Sequence, residues 1–148
     1  MSTTASSKSS RIYDPIRRRH VADTPEERVR QALLYQMLGT LAFPRGLIAV
    51  EKKIESTERR VDILVYAVQG SELKPLLLVE CKAEQQDEVT WAQAVGYNDT
   101  LAAPFVCIAH AGGIRTFWRE SMQLKSIGFL PPYAQLVQRL NETPKRAL

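Results

Sequence analysis

The sequence predicts an α/β domain with a mixed central sheet of about five strands flanked by helices. Three observations favour this fold class. A capped amphipathic helix comes first, two apolar runs rich in β-branched residues and joined by a polar turn follow over residues 59–82, and a strand–helix–strand passage covers residues 76–110. The predicted order is helix, three strands, helix, two strands, helix. A right-handed crossover in that passage would place the fourth strand parallel to the third.

Length and composition agree with one folded domain between two tails. The chain has 148 residues, of which 45% are hydrophobic and 24% are charged. A domain of this size buries about 68–70% of the surface of its unfolded chain. This is enough for a stable hydrophobic core without disulfides or structural metal ions. Residues 1–12 start with a Ser- and Thr-rich stretch and are expected to be a disordered tail. We expect a single folded domain at residues 13–140 and a C-terminal tail at residues 141–148.

Charge and cysteine content narrow the class of protein. The net charge of +4 is compatible with a polyanionic partner, and equally with a plain soluble surface that has a small excess of basic residues. Cys81 and Cys107 lie inside apolar runs without the spacing of a zinc site, so we expect buried thiols. The sequence contains neither a signal segment nor an apolar run of membrane-spanning length, which predicts a cytoplasmic protein without membrane contact.

The first helix has a clear start. Thr24 is a suitable N-cap, Pro25 suits the first helical position, and Glu27 stands three residues after the cap, as in a capping box. Apolar residues then recur at helical spacing, and the helix is expected to end within residues 39–44. Either Glu26 or Glu27 therefore lies near the edge of the buried stripe.

Three strands are expected after this helix. Residues 47–54 form the first, and residues 59–82 form a β-hairpin whose turn contains Gly70 and Pro75. The run at residues 76–79 is apolar on both faces, which indicates a central strand covered on both sides.

The second half of the chain completes the sheet. A helix over residues 88–100 leads into a strand at residues 104–110, and residues 114–118 pair with that strand as a hairpin. A short helix over residues 133–140 follows a pair of prolines and closes the domain.

Charged residues end both strands of the first hairpin. Side chains alternate across a strand, so Asp62 shares a face with Leu64, and Glu80 shares a face with Lys82. If these strand ends meet, two carboxylates face one point in space with a lysine beside them. Mg²⁺ prefers oxygen ligands of this kind, so the point is a candidate site for a divalent cation.

The order of these features resembles the PD-(D/E)XK nuclease superfamily. Asp62 and the segment Glu80-Cys81-Lys82 supply its short motif, and residues 93–97 (QAVGY) are similar to the Gln-x-x-x-Tyr helix motif of the branch with RecB-like nucleases and type I restriction enzymes. Over residues 13–118 the chain resembles the N-terminal nuclease domain of type I restriction enzyme R subunits.

The resemblance implies a metal-dependent endonuclease that hydrolyses DNA phosphodiester bonds as a nuclease domain standing alone. Asp62 and Glu80 would bind Mg²⁺ or Mn²⁺, with the backbone carbonyl of Cys81 as a further oxygen ligand. Lys82 would orient the attacking water and stabilise charge on the phosphate, and Glu27 would be the catalytic glutamate of the helix. The residues implied on the substrate side of the next helix are Gln93 and Tyr97.

Several interpretations of these residues stay open. The charged strand ends also fit a solvated cross-strand ion pair. Glu27 also fits a capping box alone, and Gln93 with Tyr97 also fits a half-buried helix face. Arg60, together with the neighbouring arginine and residues 17–19, either contacts phosphates or forms a solvated charged surface.

The alternative function is a nucleic-acid-binding or scaffold module of the same fold that is inactive without a partner. DNA is the expected nucleic acid, and RNA stays open. Candidate protein partners are a helicase or methyltransferase subunit and, for a homodimer, a second copy of the chain.

Overall fold

The computed structural model describes residues 10–84, 94–96, 98–99 and 101–142. They form a two-stranded ribbon, a six-stranded sheet and helices that pack against the sheet. In chain order the elements are β1 (Arg11–Asp14), β2 (Arg19–Ala22), α1 (Pro25–Leu38), a short 3-10 helix (Arg45–Leu47), β3 (Ile48–Lys53), β4 (Arg60–Gln69), β5 (Glu72–Cys81), β6 (Phe105–His110), β7 (Gly113–Glu120), β8 (Gln123–Ile127) and α2 (Tyr133–Glu142). Within the described ranges, no helix is long and apolar enough to cross a membrane.

The strands of the central sheet lie in the order β3-β4-β5-β6-β7-β8. Neighbours run antiparallel except for β5 and β6, which are parallel. The mixed α/β class, the β4–β5 hairpin and the parallel alignment of the third and fourth predicted strands are therefore confirmed. The hairpin predicted at residues 104–118 is confirmed as β6 and β7.

The sheet has six strands, one more than the approximate number that the sequence predicted. The additional strand is β8, whose residues are nearly all exposed at the sheet edge, so they lack the apolar alternation that marks a strand. The predicted order also omits β1 and β2, because these four-residue strands bury few apolar side chains. The first of them begins at Arg11, two residues before the expected start of the domain.

Pro75 lies inside β5 and not in the turn, where we expected it. The turn consists of Gly70 and Ser71 alone, and Gly70 adopts a φ of 64°, which glycine tolerates without steric cost. Pro75 pairs with Tyr66 beside a β-bulge. Bulges are among the few positions in a sheet that accept proline.

Both terminal helices agree with the prediction. The Thr24 hydroxyl accepts a hydrogen bond of 3.1 Å from the backbone N–H of Glu27, so the N-cap of α1 is confirmed. The last helix extends two residues beyond its predicted end at residue 140. Of the helix predicted over residues 88–100, residues 94–96, 98 and 99 are helical. The other positions of that prediction lie outside the described residues.

The core lies on both faces of the sheet. One face packs against α1 and α2 through a cluster that includes Leu34 and Leu136, and the other face carries a second cluster with Leu78 and Ala94. Residues 76–81 of β5 are all buried, which confirms a central strand covered on both sides. The carboxyl end of this strand is therefore held by packing from two directions.

Candidate active site

The candidate site forms where β4 and β5 separate. Their last paired residues at this end are Ile63 and Val79, so Asp62 and Glu80 stand just beyond the ladder. There, Asp62 Oδ2 accepts a hydrogen bond of 2.7 Å from the backbone N–H of Cys81. This bond fixes one carboxylate oxygen of Asp62 at the end of β5.

Glu80 brings a second carboxyl group to the same place. It is 4% exposed, and its Oε1 has no hydrogen-bond partner among the residues that the structure describes. Burial, followed by the charge of Asp62 and a side-chain hydrogen bond to it, raises the pKa of Glu80 to about 9. The surroundings of Glu80 therefore favour its protonated form.

Lys82 directly follows β5 and is half-buried. Its backbone N–H donates to the carbonyl of Ala109 at 2.8 Å, which continues the β5–β6 pairing by one residue. Its charge partly offsets the rise in the pKa of Glu80, so the ammonium group lies within electrostatic range of that carboxyl group. The structure thus brings together Asp62, Glu80 and Lys82.

The two cysteines are free, and both are buried as predicted. Burial, followed by the charge of Asp62, raises the pKa of the Cys81 thiol. Burial raises the pKa of Cys107 to about 12. Since a thiol must lose its proton to bind a metal, Cys81 is left with its backbone carbonyl as a candidate ligand.

Glu27 lies in the first turn of α1, and two arginines hold its carboxylate. Nε and Nη2 of Arg30 each donate to it at 2.8 Å. Arg17 adds a bond of 2.9 Å and Gln31 one of 3.1 Å. Burial alone would raise the pKa of Glu27, but these hydrogen bonds lower it to about 2. The side chain does not close a capping box, because the backbone N–H of Thr24 donates to β2.

Arg30 connects Glu27 to the strand ends. It is 7% exposed, and its remaining nitrogen, Nη1, donates to Glu51 Oε1 at 2.7 Å and to Asp62 Oδ1 at 3.3 Å. Glu51 stands opposite Asp62, between residues of β3 that do pair with β4, and has a left-handed φ of 57°. The carboxylate of Glu51 therefore lies beside the candidate site and is paired with Arg30.

The ribbon supports this cluster. Asp14 is fully buried and accepts hydrogen bonds from Arg17 Nε at 2.7 Å, from Gln31 Nε2 at 2.9 Å and from two backbone N–H groups of the ribbon turn at 2.8 Å. Burial raises the pKa of Asp14, but the hydrogen bonds outweigh it and lower the pKa overall. Ionic contacts therefore run without a break from the ribbon to the strand ends, through Asp14, Arg17, Glu27, Arg30 and Asp62.

The remaining predicted residues differ in position. Arg60 is exposed at the start of β4 and donates to the backbone carbonyl of Glu51 at 3.1 Å, so it lies beside the site. Glu26 is exposed. Gln93 and Tyr97 lie outside the described residues.

A larger metal cluster is absent from the part of the chain that the structure describes. No group of three or more His, Cys, Asp or Glu side chains there is arranged to hold an ion. The candidate centre therefore offers two side-chain carboxylates, Asp62 and Glu80. A Mg²⁺ site commonly uses one or two, together with waters and substrate oxygens.

Sequence reasoning missed Arg30, Glu51 and Asp14. The spacing of three residues between Glu27 and Arg30 on one helix was a usable signal, because such residues are neighbours on a helix surface. Glu51 stands at the end of an apolar run, and Asp14 precedes a proline as many turn residues do. The signals at Glu51 and Asp14 mark an unusual position in the sequence, but they do not indicate which residue each side chain contacts.

One family model matches the chain. Its description is type I restriction enzyme R protein N terminus, and it covers residues 25–131, well over half of the sequence. The matched segment begins with α1 and contains both carboxylates of the candidate centre. No curated protein and no solved structure matches the chain significantly.

Proposed function

Because this chain belongs to the family of type I restriction enzyme R protein N termini, we propose that it is a metal-dependent endonuclease that hydrolyses phosphodiester bonds in DNA. The observation that carries the proposal is the buried Oε1 of Glu80, which lacks a partner within the described residues and lies beside Asp62. A PD-(D/E)XK core is part of the proposal. It is supported by the carboxylates of Asp62 and Glu80 at neighbouring strand ends, with Lys82 two residues after Glu80.

The residues at the strand ends fit Mg²⁺ or Mn²⁺. Asp62 and Glu80 supply carboxylate oxygens, and the carbonyl of Cys81 is a third candidate donor. Glu80 would give up its proton on binding, since a nearby divalent charge favours the ionised carboxylate. When bound, the cation would offset the negative charge that develops on the phosphate and polarise the attacking water.

Each side chain of the site has a proposed task. Lys82 orients the attacking water and stabilises negative charge on the phosphate. Asp62 is held in one orientation by the N–H of Cys81 and by Arg30, so its ligand oxygens need no rearrangement. All the described donors to Glu27 come from Arg17, Arg30 and Gln31, which supports a role for Glu27 through Arg30.

The proposed substrate and partners are those that the family suggests. We propose that Arg60 contacts the DNA backbone, with Gln93 and Tyr97 on the substrate side. The family supports a role in a restriction system, in which a helicase or methyltransferase subunit would be the partner of this domain. A homodimer is a second arrangement that solution mass measurements would identify.

Calorimetry with Mn²⁺, followed by incubation with plasmid DNA, tests the proposal. We expect the unaltered chain to bind Mn²⁺ and cleave DNA, and Asp62→Ala and Glu80→Gln to lose at least about tenfold in affinity, together with cleavage. Lys82→Ala should keep metal affinity and lose about 100-fold in cleavage rate. Glu84→Gln, an exposed acid two residues further along, is the matched control and should keep both properties.

Two results would contradict the proposal. The first is that the unaltered chain binds no Mn²⁺ even with DNA present. The second is that cleavage persists in both carboxylate variants. DNA binding that weakens with salt and does not depend on metal would then support the binding module instead.

A further inference from the structure

The guanidinium group of Arg30 fills the space between Asp62 of the candidate centre and the neighbouring carboxylate of Glu51. Its Nη1 lies 2.7 Å from Glu51 Oε1 and 3.3 Å from Asp62 Oδ1, and it also approaches the backbone carbonyl of Asp62 at 3.5 Å. Oxygens of two carboxylates and one carbonyl thus surround a single positive group. This is the kind of oxygen environment in which a hard cation would otherwise be bound.

Contacts on the side of the guanidinium group that faces Glu27 hold Arg30 in this position. Its other two donor positions form a bidentate pair with Glu27, and Arg17 and Gln31 hold Glu27 in turn. A buried bidentate arginine–carboxylate pair has a defined geometry and cannot lose its charge by deprotonation. The positive group between Glu51 and Asp62 is therefore a permanent part of the fold.

Glu51 has an unusual backbone conformation at this point. Its φ of 57° is left-handed, although it lies within β3 and is not a glycine. Strained backbone of this kind persists where the surrounding contacts require it, and such sites are often functional. Glu51 combines this backbone conformation with a side chain that is bonded to Arg30.

The charges of the centre favour one divalent ion. Asp62, Glu80, Glu51 and Glu27 would contribute four negative charges, and Arg30 and Lys82 contribute two positive charges. One divalent cation brings the sum to zero, whereas a second would bring it to +2. A second ion would also need the oxygens that Arg30 already occupies, and displacing a buried, paired charge is costly.

We propose that Arg30 takes the place of a second metal ion, bridging Glu51 and Asp62 so that the centre binds a single divalent cation between Asp62 and Glu80. The inference rests on the proposed function, because it concerns the same centre. In this arrangement Arg30 is a positioning residue: it orients Asp62 and does not contact the substrate.

The stoichiometry of Mn²⁺ binding is the first test, measured by calorimetry and by electron paramagnetic resonance, which detects coupling between neighbouring Mn²⁺ ions. We expect one Mn²⁺ per unaltered chain and no coupling. Glu51→Gln should keep one ion with an affinity within about threefold of the unaltered chain. Two coupled ions in the unaltered chain would overturn the inference.

A double variant provides the opposite test. Glu27→Gln combined with Arg30→Met removes one negative and one positive charge, so the net charge is unchanged and Glu51 and Asp62 are left facing a space without a cation. We expect this variant to gain a second, weaker Mn²⁺ site. Adding Glu51→Gln should abolish that gain, whereas Glu58→Gln, an exposed acid on the turn before β4, should not. A folded double variant that still binds one ion would overturn the inference.

The test separates this inference from the proposed function. If the unaltered chain binds no Mn²⁺, the proposed function fails. If it binds two ions and cleaves DNA, only the role of Arg30 is wrong. Should circular dichroism show that the double variant does not fold, the stoichiometry of the unaltered chain and of Glu51→Gln still decides.

Discussion

At the residue scale, Glu27 links the pH dependence of stability to the candidate site. Its pKa is lowered from 4.5 to about 2 in the folded chain, because hydrogen bonds from Arg30, Gln31 and Arg17 outweigh the effect of burial. The folded state therefore favours the ionised carboxylate more than the unfolded state does. The resulting stability is fully present above about pH 4.5 and is lost as the pH falls through about 2.

Glu27→Gln should remove this acid-sensitive contribution. We expect the variant to be less stable than the unaltered chain by about 3 kcal/mol at neutral pH, because Arg30 loses its buried partner. Its free energy of unfolding should also change less between pH 4.5 and pH 2. Urea unfolding at several pH values measures both effects. Glu26→Gln, at the exposed neighbouring position, is the control, and an unchanged pH slope in Glu27→Gln would contradict the expectation.

The residues of the site were predictable to different degrees. Asp62, Glu80 and Lys82 could be placed together from the sequence because alternation in two strands of one hairpin determines which side chains share a face. The contact of Arg30 with Glu51 depends on how α1 lies against the sheet. No local pattern in the sequence specifies that packing.

At the element scale, the ribbon of β1 and β2 acts as a support for α1. Asp14 accepts bonds from Arg17 and Gln31, and both of these residues also donate to Glu27. The ribbon is therefore connected to the candidate site by ionic contacts and hydrogen bonds. This connection is independent of the pairing in the central sheet.

Asp14→Ala should destabilise the whole domain by about 3 kcal/mol, because it leaves buried donors without an acceptor. The midpoint of urea unfolding measures this loss. Glu58→Ala removes an acid from an exposed ion pair with Lys53 and should change stability by no more than about 0.5 kcal/mol. An equal midpoint for Asp14→Ala and the unaltered chain would show that the ribbon does not contribute to stability.

The elements found from the sequence are those with a strong local signal. The cap at Thr24 marked α1, and the apolar runs on both sides of Gly70 marked the β4–β5 hairpin. The ribbon and β8 escaped because their strands are short and expose most of their side chains. These strands are stabilised by pairing with their neighbours. Their sequences lack the hydrophobic alternation that would have identified them.

At the scale of the whole molecule, β5 joins the two halves of the core. Leu77 and Leu78 are adjacent and fully buried, yet they belong to clusters on opposite faces of the sheet. Packing on either face therefore stabilises the same strand. We expect the domain to unfold as one cooperative unit.

Leu77→Ala and Leu78→Ala should each lower the free energy of unfolding by about 3 kcal/mol, since each leaves a cavity in a packed core. Circular dichroism and tryptophan fluorescence should report the same single transition in both variants. Leu124→Ala, at an exposed position of β8, should change stability by no more than about 0.5 kcal/mol. Two separate transitions would contradict cooperative unfolding across the sheet.

The ribbon also affects where the N-terminal boundary of the folded domain lies. The family model starts at residue 25, whereas Asp14 and Arg17, which hold Glu27 from the other side, precede that boundary. A gene fragment cut to the matched residues would encode Glu27 and Arg30 without these two supports, and would also lack α2. We therefore expect the unit that folds by itself to extend from β1 to α2, beyond both boundaries of the matched sequence.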